Sequence, residues 1–374
     1  MNSSRRLKEL DILRALAFIF VVEQHSMGGY YNIKGISNLY YEIFKFFYTL
    51  AKPAVACFLC ISAISLCYSY SENFNYKKYY MKRITGVLIP YTVWSMTYIY
   101  INKKYTNPTD LLLQILSGNA CYHLWYMGMI IRLFIYFPII LLIAKKIHKQ
   151  KFIFRILVFI MLILSYYGIS KYQNVISNNF ISFLFTNPTK LQSKFVNITP
   201  LFWYLYFVIG IYMALNYKTF KEKILKFKVP VLFFYLALFI YSYLNEMKFI
   251  KFNRVLSLSY FVFSILAWYI ISVKLSNSIK LYSFFNFISK YSFGGYLCHI
   301  LVIGHVVNKV RWMFKLKDWL AVGLITWIAS SILSPCLIKL INLVPYTKFI
   351  TGVKHKKLIS NYNVFEKVSF INKS

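Results

Sequence analysis

Ten apolar stretches of about 17 to 25 residues, the length that carries a helix across a bilayer core, divide this chain near 10–29, 45–69, 84–102, 123–144, 152–170, 199–216, 229–246, 255–273, 291–309 and 318–341. Backbone inside lipid must satisfy its own hydrogen bonds, so a chain patterned this way folds as an all-α, polytopic integral membrane protein of about ten transmembrane helices. Little sequence remains for a soluble domain. Residues 1–345 are expected to form the membrane domain and 346–374 a basic cytoplasmic tail.

Only 14% of the residues are charged and 59% are hydrophobic, against roughly 25% charged in a soluble domain. The net charge of +34 does not point to nucleic acid, because the lysines are strung through short loops and build no groove-binding module. In such loops they set topology and meet anionic lipid.

Arg5, Arg6 and Lys8 precede the first span; Lys77, Lys78, Lys82 and Arg83 the third; Lys145, Lys146, Lys149 and Lys151 follow the fourth. Lys218, Lys221, Lys223, Lys226, Lys228 and the C-terminal Lys354, Lys356 and Lys357 fall on the same side, so both termini are expected in the cytoplasm. Lys309, Arg311, Lys315 and Lys317 run against the rule. No cleavable leader is expected, since the first span carries Arg14, Glu23 and His25 and no small-residue cleavage site. Residues 171–198, rich in Asn and Ser, read as a long outer loop placed to cover a substrate groove.

Arg14 and His25 stand eleven residues apart in the first span. At about 100° and 1.5 Å per residue they return to within roughly 20° of one helix face, about 16 Å apart along the axis. Two readings fit. Arg14 snorkels to the lipid surface while His25 bonds a neighbouring helix, or the pair marks a substrate path or reaction site. Glu23, roughly 200° from His25, faces elsewhere and needs a partner, a polar substrate or a proton. Cys57 and Cys60 have C-x-x-C spacing without a second pair, and the six cysteines read as small core hydrophobes. His148, His305 and His355 fall in no motif, His299 and His305 lack zinc spacing, and no metal is expected.

Five segments in order resemble the membrane acyltransferase family 3, which O-acylates cell-surface sugars. Leu10-Asp11-Ile12-Leu13-Arg14 running to His25 is similar to the family's Arg-x10-His signature, and Cys57-Phe58-Leu59-Cys60-Ile61-Ser62-Ala63 to its Phe-Phe-x-Ile-Ser-Gly. Tyr79 to Tyr91 resembles the basic segment before Ile-Pro-Tyr; Arg83 fits the first arginine of Arg-x-x-Arg, and Gly86 stands at the second. His123-Leu124-Trp125-Tyr126 and the run from Ser292-Phe293 through Tyr296 to His299 complete the set.

The resemblance implies a multi-pass bacterial plasma-membrane enzyme of the standalone type. Its size is similar to the subgroup that modifies intercellular adhesin polysaccharide. The donor so implied is acyl-CoA, acetyl-CoA or succinyl-CoA, and the acceptor an envelope polysaccharide or its lipid-linked precursor. Acyl transfer needs a base for the hydroxyl proton and a donor grip. His25 suits the first, histidine titrating near neutrality. Arg14 and Arg83 suit a phosphate grip, Arg14 being counted with His25 as catalytic. Glu23, His123, Trp125, Tyr296 and His299 are weaker candidates for acceptor contacts, with interface anchoring as the alternative. A polysaccharide exporter or flippase is the competing reading of a similar span number; broken Gly- or Pro-interrupted spans in matched halves would favour it.

Overall fold

The computed structural model describes residues 7–104, 107–314 and 318–353. Arg5, Arg6, Lys315, Lys317, Lys354, His355, Lys356 and Lys357 lie outside them, as does most of the 346–374 tail. Among the described residues the chain is helical and no strand forms.

The first element is α1 (Lys8–Ser26). α2 (Asn38–Ala51), capped by the Ser37 side chain, and α3 (Ala54–Tyr70) divide one apolar stretch at Lys52 and Pro53, where proline offers no N–H to continue the ladder. α4 (Tyr76–Arg83) passes into α5 (Ile89–Ile101) through a π turn at Ile84–Leu88. Pro90 cannot donate to the Gly86 carbonyl four residues back, and the wider turn accommodates its ring.

The short α6 (Pro108–Leu116) and a 3₁₀ turn at Tyr122–Leu124 precede α7 (Trp125–His148). α8 (Phe152–Lys171), α9 (Gln173–Leu184), α10 (Lys190–Asn197) and α11 (Tyr204–Leu215) follow. The amphipathic α12 (Tyr217–Lys226), then α13 (Lys228–Glu246), α14 (Arg254–Leu275), α15 (Ile279–Phe314), α16 (Trp319–Ile341) and the short α17 (Lys348–Thr351) complete the described residues. α17, placed by the sequence reading in the tail, lies on α5 and α15, with the Trp94 indole donating to the Ile350 carbonyl at 3.0 Å.

Among the described residues, eight helical stretches are long and apolar enough to cross a membrane, and they coincide with eight of the ten expected spans. The other two expectations fall on α1, whose ionisable residues lower its hydropathy, and on α11, whose 12 residues reach only about 18 Å. Both are inner helices. α1 lies against α2, α3, α14, α15 and α16, which is why Arg14, Glu23 and His25 meet protein instead of lipid. α11 lies on α3 with Gly210 so close that a Cβ there would stand 2.3 Å from the Cys60 carbonyl oxygen, small residues allowing such backbone approach. Cys60 Sγ sits 3.6 Å from Met213 Sδ in the same contact.

Residues 171–198 are not the expected loop. Thr189 and Gln192 form a reciprocal capping box that starts α10, and the Ser177 hydroxyl of α9 donates to the Asn197 side chain at the end of α10. Polar composition concealed two helices, α10 started by its own capping box and tied to α9 by the Ser177–Asn197 bond.

Candidate active site

Helices α1 and α15 run in the same direction, so Arg14 meets Ser289 near one end of the contact while His25 meets His299 near the other. Arg14 donates to Ser65 Oγ of α3 at 2.9 Å and to Ser289 Oγ of α15 at 3.3 Å, and pairs with Asp11 at 3.3 Å. The Tyr282 hydroxyl donates to the other Asp11 oxygen at 3.3 Å. A guanidinium inside the bundle is thereby compensated by a carboxylate and two hydroxyls, and its planar fork joins three helices.

Arg14 lines a cavity of about 260 Å³ together with Arg83, Ser62, Ser65, Ser69 and, on the inner wall, Tyr126 and Tyr296. Two guanidiniums and four serine hydroxyls, Ser292 being the fourth, line one space that has no carboxylate on its lining, and they form an anion-seeking mouth.

Arg83 is held by a device that begins with Pro138. Inside α7 this proline leaves the Phe134 carbonyl without its helical donor. The buried Tyr79 hydroxyl supplies one instead, at 2.8 Å. Phe134 and Tyr79 then present their rings to the Arg83 guanidinium, 5.4 and 5.6 Å from the ring centres, a cation–π cradle that aims Arg83 at the cavity. Arg83 Nε is buried with no hydrogen-bond partner. At Gly86, the position of the family's second arginine, an added Cβ would meet nothing within 4 Å.

Past the tyrosine wall, three imidazoles converge. The Tyr296 hydroxyl donates to the His123 backbone carbonyl. The His299 ring centre is 4.8 Å from that of His123 and 5.2 Å from that of His25, and Tyr122 covers His25 at 5.2 Å. His299 Nδ1 lies 2.6 Å from the Tyr296 carbonyl oxygen. A carbonyl has no proton, so Nδ1 is the donor; in the neutral ring the lone pair stays on Nε2, which has no partner. Both ring nitrogens of His123 are also without partners. His123 is 1% exposed and His299 0%, whereas His25 is only partly buried. Of the three, His25 is therefore the ring a substrate meets first. No group of three or more His, Cys, Asp or Glu side chains among the described residues is arranged to hold a metal ion.

The structure thus brings together His25, His123 and His299, and separately Arg14 and Arg83, with Tyr296 on the wall between the two sets. Trp125 stands with Trp203, ring centres 5.4 Å apart, and lines neither group. Glu23 shares an α1 face with Ile19, whose carbonyl accepts from Trp327, and Met27, which touches Gly323; this face meets α16. Both Glu23 carboxylate oxygens are buried without partners. Sequence reasoning did not single out Ser65, Ser289 or Tyr122, and it quoted Tyr79 and Tyr126 within motifs without giving either a role. Ser62 lay within a quoted motif, and Pro138 inside a span was the available signal for a carbonyl seeking a donor.

The family model for the acyltransferase domain of acyltransferase family 3 matches residues 7–348, nearly the whole chain. The chain belongs to this family. It is a multi-pass membrane acyltransferase, and the competing exporter reading is set aside. Neither curated proteins nor solved structures yield a match.

Proposed function

We propose that this acyltransferase moves an acetyl or succinyl group from acyl-CoA to a hydroxyl of an envelope polysaccharide or its lipid-linked precursor. The observation that carries the reading is the cavity with Arg14 and Arg83 at its mouth and the histidine cluster behind its tyrosine wall. At about 260 Å³ it is small beside the roughly 300 to 1,000 Å³ of sites for whole drug-sized ligands. It suits an extended pantetheine arm whose phosphates stay at the arginines.

The rise from Arg14 to His25 is about 16 Å, and the thioester covers it by passing Tyr126 and Tyr296. His25 takes the proton of the acceptor hydroxyl as that oxygen attacks the thioester carbonyl. Collapse of the tetrahedral intermediate breaks the C–S bond, and the proton on His25 goes to the departing CoA thiolate. Atoms and charge balance without a metal or redox partner.

The arginine end of the bundle then faces the cytoplasm, where CoA is available, along with both termini and the basic α4. Analysis of surface glycan from cells with and without the protein tests the reading. Loss of a glycan ester on deletion, with polymer still reaching the surface, is expected. Unchanged ester content in the deletion strain contradicts it.

A further inference from the structure

A second space in the bundle has a different chemistry from the active-site cavity. Between α7, α8 and α11 lies a trough of about 410 Å³ with apolar walls such as Ile143, Val158 and Ile211. It adjoins a space of about 380 Å³ beneath α12, and the two share Arg155, Tyr212 and Asn216. His148 lines the first and Lys223 the second. No carboxylate lines either one.

The side chains are arranged in two tiers. Below, the trough opens to the bilayer, its α8 rim carrying Met161 at 60% exposure. Above, Arg155 is held by a hydrogen bond from Nη2 to the Asn216 side-chain oxygen at 2.9 Å, which fixes one edge of the guanidinium and leaves the other free to take an anion. α12 is amphipathic, burying Ile224 while Lys218, Lys223 and Lys226 are exposed, which sets this end of the trough at the membrane surface. Apolar surface in the hydrocarbon, capped at the headgroup level by the held Arg155 and by Lys223 with no carboxylate on either lining, is complementary to one kind of molecule.

We propose that this trough binds a single anionic phospholipid, its phosphate between Arg155 and Lys223 and an acyl chain along α7, α8 and α11. Lipid tails are as apolar as the helices they touch, so chain contact alone selects nothing. Selection comes from the cations, and two of them near the surface favour an anionic over a zwitterionic headgroup by about tenfold or more in affinity.

The test uses the purified full-length protein in detergent, with thermal unfolding followed while phosphatidylglycerol, phosphatidylcholine or inorganic phosphate is added. Phosphatidylglycerol is expected to raise Tm with a half-maximal concentration at least tenfold below that of phosphatidylcholine, and inorganic phosphate to leave Tm unchanged. Arg155→Gln with Lys223→Gln should abolish the preference, and Arg155→Lys should retain most of it. Val208→Trp fills the trough while sparing the cations, and should weaken binding of both lipids; it serves if the double variant fails to fold. Equal effects of the two lipids, an undiminished preference in the double variant, undiminished lipid binding in Val208→Trp, or the full shift with inorganic phosphate alone would each overturn the proposal.

Discussion

Replacing Tyr79 by Phe isolates the device that aims Arg83. The substitution keeps the ring beside the guanidinium and removes only the hydroxyl that donates at 2.8 Å to the Phe134 carbonyl. That carbonyl has no helical donor because Pro138 occupies the position four residues on. Leaving a buried acceptor unsatisfied costs about 1 to 3 kcal/mol, and hydrogen bonds in membrane bundles fall at the low end, about 0.6 to 1.7 kcal/mol. The expected loss is therefore about 1 kcal/mol, with a rise in the KM for acyl-CoA and a smaller change in kcat. Pro138→Leu supplies the control, since it returns an N–H to the ladder and leaves the hydroxyl with less to do. Reversible unfolding of the parent, both single variants and the double variant measures the coupling. If Tyr79→Phe costs the same with Leu at 138 as with Pro, or costs nothing in either, the tyrosine does not compensate for the proline and the account of the Arg83 cradle is wrong.

Other outcomes follow from the same geometry. Arg14→Lys should fold and insert normally but raise the KM for acyl-CoA by about tenfold, because a point charge replaces a fork bonded to Ser65 and Ser289; unchanged donor kinetics would remove Arg14 from the grip. Gly86→Arg should be produced at the parental level, since its Cβ meets nothing within 4 Å, and should lower that KM; a higher KM would place residue 86 away from the donor phosphates. A cysteine at Lys78 should react with membrane-impermeant maleimide only after the cells are opened, and rapid labelling of intact cells would reverse the proposed orientation.

The parts of the site legible in the sequence are those set by one helix's own period. Arg14 and His25 share a face of α1 because eleven residues come close to three turns, and an ionised arginine in an apolar span had to meet partners. That those partners are Ser65 and Ser289 depends on which helices flank α1, which spacing along one helix does not specify. The His25, His123 and His299 cluster is of the same kind: each residue was visible in its motif, but three elements distant in sequence had to be assembled before the rings met. One misreading had a visible signal: Thr189 and Gln192 spelled a capping box inside a segment read as loop. Pro53 likewise marked the break between α2 and α3 within a correctly placed span. Ten apolar stretches were legible by composition, yet α1 and α11 differ from the other eight because inner helices need not satisfy the length and apolarity that lipid demands.

The central claim is that His25 is the general base. His25→Gln keeps a polar side chain of similar reach, so protein level and unfolding temperature should stay near the parental values; losing an interhelical hydrogen bond in a bilayer costs only about 1 kcal/mol. Losing a general base typically lowers the rate by about 10² to 10⁴. Measuring glycan ester and membrane protein level in the same cells separates the two roles. The account predicts normal protein with ester reduced at least 100-fold. A well-expressed His25→Gln variant that esterifies glycan at the parental rate would contradict it.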